Sequence, residues 1–197
     1  MLCGDEEAFR QIYRALQPGL LRYLTVLLGP NDAEDMASET WAQAVRDLAR
    51  FQGDADGFRG WITTIARHRA MDLLRAKGRR PVADLPIEDF GDRAAREDTE
   101  ADAWESMSTA AALRLIRTLP AEQAEAILLR TVIGLDAKSA ARILGRRPGA
   151  VRTAAYRGLR SLARQMDDSS RGVPRAAKQS VMVFGDTPRR ASAEELT

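Results

Sequence analysis

The chain of 197 residues carries 30 Lys and Arg against 28 Asp and Glu, a formal net charge of +2, and 45% hydrophobic residues, enough to bury a core or two. A single cysteine (Cys3) and a single histidine (His68) exclude an internal disulfide framework and a Cys/His metal site within one chain. No secretory signal opens the sequence and no apolar run approaches the roughly eighteen residues that span a bilayer, so a cytoplasmic protein without membrane insertion is expected.

Charge distribution says more than its sum. Lys and Arg crowd into 59–80 and 114–164, and between these blocks acid dominates: Asp84, Glu88, Asp89, Asp92, Glu97, Asp98, Glu100, Asp102 and Glu105 against Arg93 and Arg96. Two basic blocks joined by an acidic connector suit two surfaces for one polyanion, although solvated helix faces account for either block alone. No clustered carboxylate pair, phosphate-binding loop or metal spacing is present, so neither an enzyme nor a cofactor is expected.

The apolar positions Phe9, Ile12, Tyr13, Leu16, Leu20, Leu21, Leu24, Leu27 and Leu28 recur at helical spacing, and Pro18-Gly19 predicts a break into two helices before Gly29-Pro30 ends the run. Asn31 with Glu34 has the form of a helix start. The helix to about Leu48 carries an apolar stripe of Ala37, Trp41, Ala44, Val45 and Leu48, and an acidic line of Asp32, Asp35 and Glu39 on another side. Residues 51–57, with two glycines and two aspartates, read as a loop. It feeds a helix from about Phe58 to Ala76 whose core stripe is Phe58, Trp61, Ile62, Ile65, Ala66 and Leu73. Arg69 and Asp72 fall in that stripe and are expected to pair with each other; Thr63, Thr64, Arg67 and Arg75 fall opposite.

Residues 81–107, acidic and aperiodic, read as a flexible linker between a first domain (5–80) and a second (108–166). In the second, Ala112, Leu113, Ile116 and Leu119 form one helix face. Pro120 suits the first turn of the next helix, whose apolar side is Ala124, Ile127, Leu128 and Thr131. Then Asp136 can cap a short helix that Gly145 ends in the left-handed conformation. Arg147 precedes a proline, which places a turn there and starts the last helix near Pro148. Val151, Ala155, Leu159 and Leu162 are its core side, and Arg152, Thr153, Tyr156, Arg157 and Arg160 crowd the rest. This is a helix-turn-helix, whose second helix would lie in a DNA major groove; an αα-hairpin in any helical protein is the bland alternative. Residues 167–197 are expected to be disordered, with Val181–Phe184 their one apolar run. The expected fold is all-α: two small helical domains joined by a flexible acidic linker, the second with a helix-turn-helix.

Two segments in order carry a family resemblance. Residues 32–41 (DAEDMASETW), Arg50-Phe51 with its Gly-Asp loop, and residues 58–75 (FRGWITTIARHRAMDLLR) resemble the second conserved region of extracytoplasmic-function (ECF) sigma factors. Leu119-Pro120 with the helix-turn-helix of 134–160 resembles their fourth region, and together the likeness covers nearly everything from Asp5 to Met166.

The resemblance implies a dissociable RNA polymerase subunit that selects promoters. It would dock on the clamp helices of the largest core subunit through Asp35, Ser38 and Glu39, with the second domain on the flap region. It would read and help melt the minus-ten element, as duplex and then melted strand, through Gln52, Asp54, Asp56, Arg59, Thr63, Thr64, Arg67 and Arg75. It would read the minus-thirty-five duplex through Arg147, Arg152, Thr153, Tyr156 and Arg157. Trp61, a tempting base stacker, sits on the apolar stripe and is expected in the core. Many members are held by an anti-sigma factor, which makes one a possible partner, and the tail could instead regulate in cis. Two departures stand out: Ser139-Ala140 replaces a commoner glutamate and larger aliphatic, and Thr153-Ala154-Ala155 replaces a stretch with one more cation. A two-domain helix-turn-helix regulator acting without polymerase is the alternative reading.

Overall fold

The computed structural model describes residues 6–78 and 100–171, and all regular structure among them is helical. Cys3, the connector from 79 to 99 and the tail from 172 onward, with Val181–Phe184, lie outside the described residues. Helix α1 (Glu6–Leu28) runs unbroken through Pro18, where the sequence predicts a break. Pro18 removes the N–H that would bond the Arg14 carbonyl, but both residues are exposed, so the freed carbonyl opens to water. Burial of Leu20, Tyr23, Leu24 and Leu27 anchors the turns that follow the proline.

Helix α2 (Pro30–Asp47) starts two residues earlier than Asn31 as its cap would place it. Gly29 caps it at φ 89°, and Pro30 takes the first helical position, where its missing N–H is not needed. Ala33, Met36, Ala37, Thr40, Trp41 and Ala44 are buried; Val45, expected in that stripe, is 54% exposed. A 3₁₀ turn (Leu48–Arg50) leads to the loop, and Asp54 accepts from the Gly57 amide (2.8 Å) to cap α3 (Ala55–Ala76). The three helices pack together around Trp41, whose Nε1 donates to Gln17 Oε1 at 2.6 Å. Rings of Phe9, Tyr13 and Phe58 surround the indole, with centroids 5.8, 4.9 and 6.5 Å away. Trp61 is part of this group, 5.1 Å from Phe51 and 5.4 Å from Phe58.

The second half begins with α4 (Glu100–Arg117), which starts inside the stretch expected as linker. Leu113, Ile116 and Leu119 are buried and Ala112 is exposed. Pro120 stands at the cap of α5 (Ala121–Ile127) rather than in its first turn. A π turn (Leu128–Val132) follows. Its extra residue rotates the register, so Leu128 and Leu129 are buried and Thr131, expected on the apolar face, is exposed.

Helix α6 (Ala137–Leu144) is capped by Asp136, which accepts from the Ser139 amide at 2.8 Å. It ends at Gly145 with φ 63° and ψ 34°, the left-handed geometry a side chain would oppose. Helix α7 (Pro148–Arg171) starts at the expected proline and runs past the expected end of order at 166. Its core side is Val151, Ala155 and Gly158; Leu159, expected there, is 50% exposed. A Cβ on Gly158 would lie 2.6 Å from Ile127 Cδ1, 3.2 Å from Gln123 Cβ and 3.3 Å from Leu119 Cδ1, so side chains of the preceding helix fill the space a larger residue would need.

A compact unit ends at Leu162, and the described residues beyond it, the C-terminal turns of α7, belong to a second. Within the first unit the two helical halves touch: α1 packs on α4 and the π turn, and α3 packs on α6. At Gly19 an added Cβ would stand 3.2 Å from the Val132 carbonyl oxygen. Among the described residues no helix is long and apolar enough to cross a membrane, and no cluster of His, Cys, Asp and Glu could hold a metal ion.

Candidate nucleic-acid interface

The helix-turn-helix presents its cations as the spacing predicts. Arg147, Arg152, Thr153, Tyr156 and Arg157 are all exposed, Tyr156 by 63%. Positions 152, 153, 156 and 157 follow the three- and four-residue spacing of one helix face. Among the described residues none of these five is tied into an ion pair, so the donors are available to phosphate and base edges. The residues that fix the turn are capped rather than charged. The Ser139 hydroxyl, then its amide, hold the Asp136 carboxyl below the usual range, and the same hydroxyl accepts from Arg142 at 2.9 Å. Ser139, a departure from the family pattern, thus supports the first helix of the motif.

The α2 surface is open. Asp35, Ser38 and Glu39 are exposed, and Asn31, Asp35, Ser38, Ala42 and Val45 share one face at helical spacing. Glu39 departs from a free docking acid: its Oε2 accepts from Arg69 Nη1 at 2.6 Å, and Arg69 also donates to Gln43 at 3.1 Å. Arg69 therefore ties α3 to α2 instead of pairing with Asp72, which is exposed and bound by Arg75.

The loop and α3 are where expectation and structure differ most. Gln52 and Asp56 are exposed, while Asp54 is engaged as the helix cap. Arg59 pairs with Asp56 at 3.1 Å and also lies beside Gly134, with Nη1 3.8 Å from where a Cβ would be. Gly60 lies beside Leu135, a Cβ there being 3.9 Å from Leu135 Cδ2. Thr63 is not a surface residue: it is 1% exposed, and its hydroxyl donates to the Arg59 carbonyl (2.7 Å). Thr64 is half-buried and bonded to the Gly60 carbonyl at 2.8 Å. Arg67 does not face solvent as an open cation; its Nε and Nη2 donate to Glu125 Oε2 at 3.2 and 3.1 Å. Of the eight expected minus-ten residues, Arg59 and Arg67 meet the second half of the chain, at Gly134 and Glu125.

Glu125 is the residue that sequence reasoning passed over. Its side chain is 8% exposed and Arg67's 22%. Burial pushes the Glu125 carboxyl up, opposed by the Arg67 charge and hydrogen bond. Beside the pair, Tyr23 is fully buried. Burial raises its hydroxyl pKa far above the ordinary value, the Glu125 charge adds to this, and Arg67 opposes it. That hydroxyl has no hydrogen-bond partner of good geometry among the described residues. A clue lay in the sequence: Glu125 interrupts the apolar run from Ala124 to Leu129, where a charge needs a partner. A cleft of about 180 Å³ opens alongside, lined in part by Arg67, Glu122, Glu125, Arg146, Leu144 and Val151.

Both halves of the chain match known families. Residues 12–80 match the family model for Sigma-70 region 2, and residues 109–162 match Sigma-70, region 4. The ECF RNA polymerase sigma factor BldN of Streptomyces coelicolor is 32% identical over 85% of this chain and 64% of its own length. ShbA of Streptomyces griseus, also an ECF RNA polymerase sigma factor, is 34% identical over 82% of this chain and 91% of its own. The fold is shared with the sigma factor RpoE of Bartonella quintana, solved with the anti-sigma factor NepR, at a TM-score of 0.61 and 23% identity over 82% of this chain and 98% of that one. Region 2 followed by region 4 sets aside a helix-turn-helix regulator independent of polymerase. The chain belongs to the ECF RNA polymerase sigma factors.

Proposed function

We propose that the chain directs core RNA polymerase to promoters with the following division of labour. The exposed α2 face with Asp35, Ser38 and Glu39 docks on the clamp helices of the largest core subunit, and the second half engages the flap. The loop with Gln52, Asp54 and Asp56, and α3 with Arg59, Thr63, Thr64, Arg67 and Arg75, meet the minus-ten element, where an extruded base needs a pocket and the strand needs cations. Arg147, Arg152, Thr153, Tyr156 and Arg157 meet the minus-thirty-five duplex. The chain makes no bond itself; the chemistry belongs to polymerase. Its place of action is the cytoplasm, and the anti-sigma complex of its structural relative supports a partner of that kind here.

The observation that carries this reading is the exposed face of Arg147, Arg152 and Arg157 at the start of α7, outside any ion pair among the described residues and behind a turn fixed by Asp136 and Gly145. Run-off transcription with bacterial core polymerase on a promoter library tests it. Discrete start sites that depend on the added chain are expected; absence of core binding would sink the proposal. Asp35→Lys with Ser38→Lys should weaken core binding at least about tenfold with an unchanged melting temperature, since charge reversal at an interface acts without disturbing a solvated helix face.

A further inference from the structure

We infer that the minus-thirty-five duplex is held at a second place, a cationic groove along α6 and the turn after it, where Lys138, Arg142 and Arg146 take the phosphate backbone beside the bases that α7 reads. This rests on the assignment of the helix-turn-helix to that duplex.

The groove, about 550 Å³, is lined by Lys138, Ala141, Arg142, Gly145, Arg146 and Pro148. Lys138 and Arg142 are exposed and one helical turn apart, a rise of about 6 Å. The Lys138 side chain is in no ion pair among the described residues, and Arg142 donates to the Ser139 hydroxyl. The acids nearby are engaged: Asp136 caps α6, and Glu122 pairs with Arg146. The balance is positive, and the exposed Arg147 adds to it.

Folding alone does not account for these charges. Lys138 is the second residue of α6, whose first turn holds no acid. The helix dipole favours an anion at that position and disfavours a cation. A cation there weakens the helix unless an external anion comes close to it. The recognition helix points to the same ligand. Thr153-Ala154-Ala155 stands where the family pattern carries one more cation, so α7 holds the backbone with fewer charges than that pattern provides. The groove supplies them one element upstream and reaches Pro148, beside Arg147. Its lining has no aromatic ring for a base to stack on, and it follows α6 along its length, which suits a passing backbone better than a single nucleotide. Contacts of this kind position the duplex and carry no sequence information.

The experiment measures the affinity of the full chain for a short mixed-sequence duplex across a salt series, with urea titration of each variant and run-off transcription by core polymerase in parallel. Lys138→Ala and Arg142→Ala should each weaken binding several-fold and lower the slope of log affinity against log salt by about 1, on every sequence alike. Lys138→Glu separates ligand from fold. The dipole favours the acid, so the urea midpoint should hold or rise while duplex affinity falls at least about tenfold. Arg14→Glu, an equal change of net charge on the exposed side of α1, should leave the slope unaltered.

A Lys138→Glu chain that binds as the wild type does, or no worse than Arg14→Glu, overturns the inference, as does a wild-type chain with no duplex affinity at low salt. Duplex binding that survives Lys138→Glu while binding of polyglutamate is lost would assign the groove to an acidic protein and overturn it equally. Absence of wild-type run-off products counts against the sigma-factor reading alone, because the mixed-sequence duplex still reports the phosphate contacts.

Discussion

The burial of Glu125 makes its proton a reporter. Its carboxyl is raised by desolvation, against the pull of Arg67. The charged groups around it are Arg67 on α3 and, across the cleft, Glu122 and Arg146, which pair with each other; Tyr23 faces it from α1. A carboxyl raised on folding means that the folded chain binds the proton more tightly than the unfolded one. That contribution to stability is complete below the ordinary carboxylate range and is lost as pH rises through the raised value. Stability to urea should therefore decline as pH rises above the ordinary carboxylate range, and Glu125→Gln should flatten the dependence. Stability that grows over the same interval would mean the sign is wrong. Arg67 illustrates why single residues of this interface resist reading from the chain: its partner lies 58 positions away, and helical periodicity carries no information at that range.

At the level of elements, the helix-turn-helix was almost wholly legible. Asp136, Gly145 and Pro148 each have one dominant local role, and the structure uses each in that role. Local signals failed where tertiary packing overruled them. Pro18 is tolerated because its turn faces water, and Thr131 leaves the apolar face because the π turn shifts the register. Leu159 lost its core position to Gly158, since a close crossing needs the smaller residue and hydropathy ranks the larger one higher. Gly158→Val should accordingly destabilise the second half by about 2–3 kcal/mol, because overpacking outweighs the gain in helix propensity. Gly145→Ala should cost about 1 kcal/mol through its left-handed backbone. Urea titration of the full chain, followed by tryptophan fluorescence and circular dichroism, measures both. A neutral Gly158→Val would show that α7 can move off α5 freely.

The whole molecule presents cations twice but offers them unequally. Arg152 and Arg157 on α7 are exposed and outside any ion pair among the described residues, whereas Arg59 and Arg67 are engaged within the chain. Binding to duplex promoter DNA should hence lean on α7, and Arg152→Ala or Arg157→Ala should reduce the slope of log affinity against log salt by about 1 if the side chain meets phosphate. A variant that instead loses discrimination at one base pair, with the slope intact, reads a base edge. The order of region 2 before region 4 was readable from motifs, but contact between the halves was not, because no motif encodes a surface that two distant segments build together. Gly19 makes that contact tunable. It sits mid-helix in α1, where an added Cβ would press on the Val132 carbonyl oxygen at 3.2 Å. Alanine there would favour α1 as a helix and press on the π turn, and valine or leucine would press harder. A graded series at this one position should act as a wedge of adjustable thickness, prising the halves apart in steps while leaving every charged residue of the interface in place.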